Sequence, residues 1–274
     1  MNILFAGSPI SSAKVLDSLS NKAGLRIKAV ITQPDKRGKR GNKLVESQVA
    51  EKAKLLNIPV FKPTNLNDKH FKAELSSLDI EFLIVVAYGK LIPDWLIELP
   101  KITSINVHFS ILPKYRGASP IQSALLNADA ESGITIIKIN DELDSGDVYS
   151  SFVQIVDEDD DKISLENKLT ELCNANLFNV LKKINSNKLK ALPQDHSSAT
   201  YCNKVLKQDS EITFNDKSAN IINKFKAYIE WPGISFKHKE KLIKIHKIEK
   251  TNIDSSGSPG TFHKIDKSGL YVNT

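Results

Sequence analysis

Short apolar runs separated by amphipathic stretches recur along the first two thirds of the chain, and their spacing predicts the elements. Residues 2–6 make an apolar run of strand length, Gly7-Ser8-Pro9 supplies a turn, and 11–20 puts Val15, Leu16 and Leu19 on one helical face. A strand is expected at 27–32, an extended stretch at 59–61, and helices at 47–55 and across 71–75. The run 82–87 is apolar at every position, as in a strand covered on both faces of a parallel sheet. Another short strand is read at 104–108. The segments 134–139 and 148–156 form a strand pair flanking a turn at 143–147. Residues 164–184 then carry Leu165, Leu169, Leu172, Leu177, Val180 and Leu181 at helical spacing toward a core. Strand and helix alternating in this way predict an α/β domain with an open, doubly wound, mostly parallel sheet, whose ligands sit beyond the carboxyl ends of the strands.

After Pro193 the pattern changes. Gln194-Asp195-His196-Ser197-Ser198 is polar, and the remainder interleaves short apolar runs with lysine, as in Lys241-Leu242-Ile243-Lys244-Ile245-His246-Lys247-Ile248. That alternation suggests strands with one wet face. The expected organisation is a catalytic domain over 1–192, a linker over 193–203 and a smaller β-rich domain over 204–274.

Composition refines this picture in a few places. A chain of 274 residues with 41% apolar and 26% charged side chains suits two ordinary globular domains. The formal charge is +6, and from Tyr201 onward 13 Lys/Arg stand against 8 Asp/Glu, so most of the excess lies in the second domain and favours an anionic partner there. No run approaches about 18 apolar residues and no basic leader precedes the first strand, so a cytoplasmic protein without a membrane partner is expected. Cys173 and Cys202 lack the spacing of a disulfide framework or a zinc site. The acids at 157–161 suit a solvated helix N-terminus better than a cation site, and no metal is expected. Gly-rich phosphate loops are missing, which argues against NAD or ATP.

Candidate chemistry concentrates in Asn106-Val107-His108-Phe109-Ser110-Ile111-Leu112-Pro113 and Leu143-Asp144-Ser145-Gly146-Asp147. Two apart on a strand, Asn106 and His108 project from one face. A carboxamide and a protonated imidazole suit the oxyanion that forms when an amine attacks a formyl or acyl carbon. Asp144 would orient the imidazole and favour its charged form. Ser110 is a secondary catalytic candidate, able either to position a water or simply to cap a turn.

Together with Tyr115-Arg116-Gly117-Ala118-Ser119-Pro120-Ile121-Gln122 and Gly133-Ile134-Thr135, this ordered series resembles the folate-dependent formyltransferases over most of the chain. Phe5-Ala6-Gly7-Ser8-Pro9, Thr32-Gln33-Pro34-Asp35, Val85-Val86-Ala87-Tyr88-Gly89 and Glu230-Trp231-Pro232-Gly233 are similar to segments of the branch that acts on initiator methionyl-tRNA. The resemblance implies a Rossmann-like core with an OB-like C-terminal domain. It implies transfer of formyl from 10-formyltetrahydrofolate to the α-amino group of methionyl initiator tRNA, for translation initiation. A monomer is expected.

By the same resemblance Asn106, His108 and Asp144 are the catalytic trio. Val86, Ala87, Tyr88, Gly89 and Lys90 would line the pterin pocket through their backbone, with Ser110, Ile111, Leu112 and Pro113 completing the folate-binding wall. The loop Asp35-Lys36-Arg37-Gly38-Lys39-Arg40-Gly41-Asn42-Lys43 carries five basic side chains, Lys36, Arg37, Lys39, Arg40 and Lys43, suited to tRNA. Arg40 falls where the family has its key arginine.

Departures from the family pattern are specific. Phe109 stands where a small residue is usual and Ile111 where leucine is usual, so a tighter pocket wall is expected. Family members continue past the position of Val272, so the second domain is expected to be incomplete, with a strand edge unpaired. Two other readings stay open. A sugar-nucleotide N-formyltransferase shares the Asn-x-His-x-Ser and Trp-Pro-Gly patterns but has no need of five cations in one loop, and glycinamide ribonucleotide formyltransferases usually lack the C-terminal domain. A non-catalytic RNA-binding relative would not need Asn106, His108 and Asp144 together.

Overall fold

The computed structural model describes residues 1–38, 44–251, 253, 257–267 and 269–274. Strands β1 (Asn2–Gly7), β2 (Arg26–Ile31), β3 (Val60–Phe61), β4 (Phe82–Val86), β5 (Thr103–His108), β6 (Glu131–Lys138) and β7 (Val148–Ile155) make one seven-stranded sheet in the order β7-β6-β5-β4-β1-β2-β3. The pairs β1/β2, β2/β3, β1/β4 and β4/β5 are parallel, and β5/β6 is antiparallel. The chain builds outward from β1 on one side and then restarts on its other side at β4. That reversal puts the switch point, where α/β sheets open a crevice, at the carboxyl ends of β1 and β4.

Burial explains which runs became central strands. All five residues of β4 and the last five of β1 are buried, as expected for strands covered on both faces. Helices α1 (Ile10–Ser20), α2 (Gln48–Leu55) and α3 (Lys69–Ser76) follow the expected apolar spacing. Ser47 Oγ accepts from Ala50 N–H at 3.0 Å to start α2, and Asp68 Oδ1 accepts from Phe71 N–H at 3.0 Å to start α3. Each such cap contributes about 1 kcal/mol. Strand β4 stops one residue earlier than the apolar run because Ala87 turns into the left-handed region, at φ +47°. In the long helix α5 (Lys162–Asn185; α4 is given below) Cys173 takes the core position and Leu172 is only partly buried. Spacing from Leu165 through Leu169, Cys173 and Leu177 is the better helical stripe, and burial pushes the Cys173 thiol up to about 12.

Two compact units are present: 1–117, 132–154 and 166–201 form one, and 118–131, 155–165 and 202–274 form the other. In the second unit α4 (Pro120–Leu126), opened by proline in its first turn, packs on α6 (Ser218–Tyr228). The alternation predicts a β-rich domain here, and these helices join its strands. Helix α6 forms because Ile221, Ala227 and Tyr228 are buried on one face, a period masked by Lys224 and Lys226 between them. Strands β8 (Ile234–His238) and β9 (Lys241–Ile245) form one antiparallel ladder, and β10 (Phe262–Asp266) and β11 (Gly269–Val272) another. Among the described residues Leu242, Ile243, Phe262 and Ile265 remain exposed, so neither alternating run in β9 and β10 has the covered face expected of it. Among the described residues no helix is long and apolar enough to cross a membrane.

Candidate active site

Strand β5 delivers Asn106 and His108, opposite Ile137 and Thr135 of β6, and the turn after β6 brings Asp144 to them. Asn106 Nδ2 donates to Asp144 Oδ1 at 3.0 Å, and Gly117 N–H donates to Oδ2 at 2.9 Å. His108 Nδ1 lies 3.5 Å from the same Oδ2, an ion-pair contact longer than a good hydrogen bond. The other ring nitrogen, Nε2, sits 2.8 Å from the Tyr115 carbonyl oxygen. Both ring nitrogens thus face groups that only accept, and the imidazolium is the one form that donates from both. His108 is 6% exposed, so neither contact is traded cheaply for water.

Backbone strain marks this turn. Asp144 adopts φ +50°, uncommon for a residue with a side chain and typical of functional corners. At Gly146 an added Cβ would lie 1.8 Å from the Lys138 carbonyl oxygen, so the turn closes onto β6 only with glycine there. Asn106 spends one amide hydrogen on Asp144; the second has no protein partner among the described residues and is available to a ligand oxygen.

The neighbouring strand end is built as a fixed backbone surface. Ser12 Oγ donates to the Val86 carbonyl at 2.5 Å, and Gln33 Nε2 to the Tyr88 carbonyl at 2.9 Å. Ala87 and Gly89 take φ +47° and +79°, which turns successive peptides sharply. Gly7 permits this: a Cβ there would lie 2.7 Å from Ser12 Cβ and 2.8 Å from the Val86 carbonyl oxygen. The Tyr88 side chain points away from ligand chemistry, buried in a cluster with Phe71 and Leu96, where burial pushes its phenol up to about 12. Lys90 Nζ donates to the carbonyls of Pro63 at 3.1 Å and Thr64 at 3.2 Å.

Ser110 Oγ donates to the Lys114 carbonyl at 2.6 Å, a turn contact, and its own carbonyl accepts from Thr135 Oγ1 at 2.7 Å. Thr135 Oγ1 also accepts from Leu112 N–H at 3.0 Å, so one fully buried threonine holds the stretch that contains Ile111, Leu112 and Pro113. Phe109 and Leu112 are buried and Ile111 is half-buried, in contact range of Gly133.

Lys36 and Arg37 form an exposed two-residue ladder with Leu44 and Val45, while Lys39, Arg40 and Lys43 lie outside the described residues. The neck of this segment is clamped: Lys62 Nζ meets Asp35 Oδ1 at 2.6 Å and Glu46 Oε1 at 2.8 Å, and Lys54 also pairs with Glu46. Lys54 first and Lys62 next hold the Glu46 carboxyl below its ordinary range. Burial opposes the Lys62 charge, but the Asp35 and Glu46 carboxylates outweigh it and hold its ammonium above the usual value.

Asn106, His108 and Asp144 therefore share one corner, with the 86–90 segment at the end of the adjoining strand. Sequence reasoning missed the partners that complete it: the Tyr115 carbonyl, the Gly117 amide, the Thr135 hydroxyl and Gln194, whose Nε2 donates to the Asp144 carbonyl at 2.9 Å. Gln194 had read as linker, and no periodicity distinguishes it.

The formyl transferase family model matches residues 1–181, and the model of the formyl transferase C-terminal domain matches 204–274. Methionyl-tRNA formyltransferase of Sulfurihydrogenibium sp. (strain YO3AOP1) is 38% identical over 276 residues, covering 100% of this chain and 88% of its own. The enzyme of the same name from Legionella pneumophila (strain Corby) is 37% identical over 274 residues, covering 100% and 87%. Among solved structures, the N-formyltransferase of Helicobacter canadensis in complex with folinic acid and dTDP-3-aminofucose shares the fold at TM-score 0.71 and 20% identity, over 98% of this chain and 97% of that one. HypX of Aquifex aeolicus in complex with tetrahydrofolic acid does so at TM-score 0.67 and 17% identity, over 99% and 42%.

Proposed function

The chain belongs to the formyl transferase family, and from that premise we propose that it formylates the α-amino group of methionyl initiator tRNA, with 10-formyltetrahydrofolate as donor. The product, N-formylmethionyl-tRNA, serves translation initiation, which puts the work in the cytoplasm. The acceptor is carried by one observation: similarity at 37–38% identity, end to end in this chain, to enzymes named for methionyl-tRNA.

The corner around Asp144 supports the chemistry. An α-amino group titrates near pH 7.7 to 8.0, so a useful fraction is neutral and nucleophilic without a strong base. Its nitrogen attacks the formyl carbon and the carbonyl oxygen becomes an oxyanion. Asn106 offers its second amide hydrogen to that oxygen. His108, oriented by Asp144, donates from Nε2 once that nitrogen exchanges the Tyr115 carbonyl for the oxyanion. Collapse breaks the bond from the formyl carbon to the folate N10, which takes up a proton as the amine nitrogen gives one up. In this reading Asp144 passes that proton through water. Each lost oxyanion donor costs about 3 kcal/mol of barrier.

In this reading the pterin ring is held by peptide groups of Val86, Ala87, Tyr88, Gly89 and Lys90, with Ser110, Ile111, Leu112 and Pro113 as the facing wall. Pinning of those carbonyls by Ser12 and Gln33 supports it, since a flat heterocycle needs donors and acceptors at fixed places. Lys36, Arg37, Lys39, Arg40 and Lys43 meet the acceptor end of the tRNA, and the basic domain at 204–274 adds phosphate contacts. The test offers the donor with charged initiator tRNA and, separately, with an amino-sugar nucleotide. Formylmethionine on the tRNA is expected; formylation of the sugar amine alone would replace the acceptor.

A further inference from the structure

Residues 115–117 reach the trio by three routes. Two are backbone contacts already described, the Tyr115 carbonyl with His108 and the Gly117 amide with Asp144. The third runs through side chains. Arg116, 2% exposed, donates to Gln194 Oε1 from Nε at 3.1 Å and from Nη2 at 2.7 Å. Gln194 Nε2 in turn donates to the Asp144 carbonyl at 2.9 Å and the Gly146 carbonyl at 2.7 Å. Both hydrogens of one amide nitrogen are therefore spent on the two ends of the turn that carries the carboxylate.

The guanidinium decides which way this amide faces. Arginine only donates, so with two of its N–H groups on Oε1 the amide cannot flip, and Nε2 must face the turn. Arg116 also lies 3.2 Å from His196 Nδ1 and 3.4 Å from the Tyr201 hydroxyl, and its backbone N–H donates to the Thr200 carbonyl at 2.8 Å. Among the described residues no carboxylate pairs with it. A buried cation without a carboxylate partner is a costly way to gain stability, whereas as a fixed fork it orients its acceptor strictly.

We infer that Gln194, oriented by Arg116, is a positioning residue for the transfer reaction: it holds the strained Asp144 turn so that the carboxylate stays on Asn106, Gly117 and His108. This rests on the roles proposed for His108 and Asp144. The residue acts at a separation of 50 positions along the chain, from a stretch that looks like a linker.

Gln194→Glu tests it. Glutamate keeps the shape of the side chain and gains an ion pair with Arg116, but sets an acceptor oxygen against both turn carbonyls. The expected result is a fall in kcat of about 10- to 100-fold, the scale of a small misplacement of a reacting group. KM for folate and for tRNA should stay within about twofold of the parent, because the binding surfaces are untouched. The ¹⁵N resonances of the His108 ring should move. Arg116→Lys, which keeps the charge and loses the fork, should lower kcat less, and the double variant should be no slower than Gln194→Glu alone, as for residues acting through one path. Parental kcat in Gln194→Glu, an unmoved His108 signal, or losses that multiply in the double variant would each overturn the inference. If the parent itself fails to formylate methionyl-tRNA, the acceptor assignment falls, and the His108 resonances, which need no acceptor, still judge Gln194.

Discussion

The corner around Asp144 and the ladders of the C-terminal unit are held by opposite means. At the corner, His108 and Asp144 have side chains 6% and 11% exposed, and each polar atom of the carboxylate has a named partner within the protein. In the C-terminal unit, Lys237, Lys247 and Lys264 have side chains 66%, 84% and 47% exposed, and their ion pairs are with Glu211, Glu249 and Asp266. Such surface pairs contribute little. The proposed function gives a reason for the contrast. An oxyanion needs donors in one direction to within a fraction of an ångström, and only a buried, cross-braced site supplies that. Attraction of a phosphate chain acts over about 10 Å in ordinary salt and tolerates mobile lysines.

Substitutions should therefore fail differently in the two regions. The largest effect is expected for His108→Ala, which should lower kcat by about 10³-fold while tRNA affinity stays near the parental value. Steady-state kinetics beside a filter-binding titration reads both, and equal loss of the two would make His108 a structural residue and dissolve the contrast. Next comes Gly146→Ala. With a Cβ forced to 1.8 Å from the Lys138 carbonyl oxygen, the turn must shift, and stability should fall by about 2–4 kcal/mol in denaturant melts, with kcat falling as well. An alanine variant as stable as the parent would show that the turn is softer than its geometry implies.

Charge removal should act more gently and without touching chemistry. Lys39→Ala with Arg40→Ala should weaken tRNA binding and reduce the slope of log affinity against log salt by about 2, with folate binding spared. A slope equal to the parent's would take this segment out of the RNA contact. The smallest effect is expected at the clamp below it. Glu46 has its carboxyl pKa lowered chiefly by Lys54 and then by Lys62, so its contribution to stability is present above the unfolded value and is lost as pH falls through the lower folded one. Melting temperature followed from neutral pH into the acid range should decline less steeply in Glu46→Gln; identical slopes would mean the pairs do not couple to folding.

Much of the first unit was legible because its signals are local. The five-residue apolar run at β4, the capped starts of α2 and α3, and the spacing of Asn106 and His108 each sit within one element. The C-terminal unit was harder to read. Its lysines interrupt apolar spacing without preventing a helix, so α6 was hidden, and alternation at β9 and β10 does not say whether a face is covered. Gln194 shows the same limit at the site, since a polar residue in a polar stretch reveals nothing of the buried arginine it meets.

The amino-acid order by itself determined the strand and helix periods, the α/β class and the set of side chains able to stabilise an oxyanion, because these depend on neighbours a few positions away. Only the tertiary structure decided that Asp144 reaches Asn106 across 38 positions, that its turn adopts φ +50° over a glycine with no room for a side chain, and that Arg116 and Gln194 brace it from behind. Those contacts are set by strand order and close packing, and no short stretch of sequence contains that information.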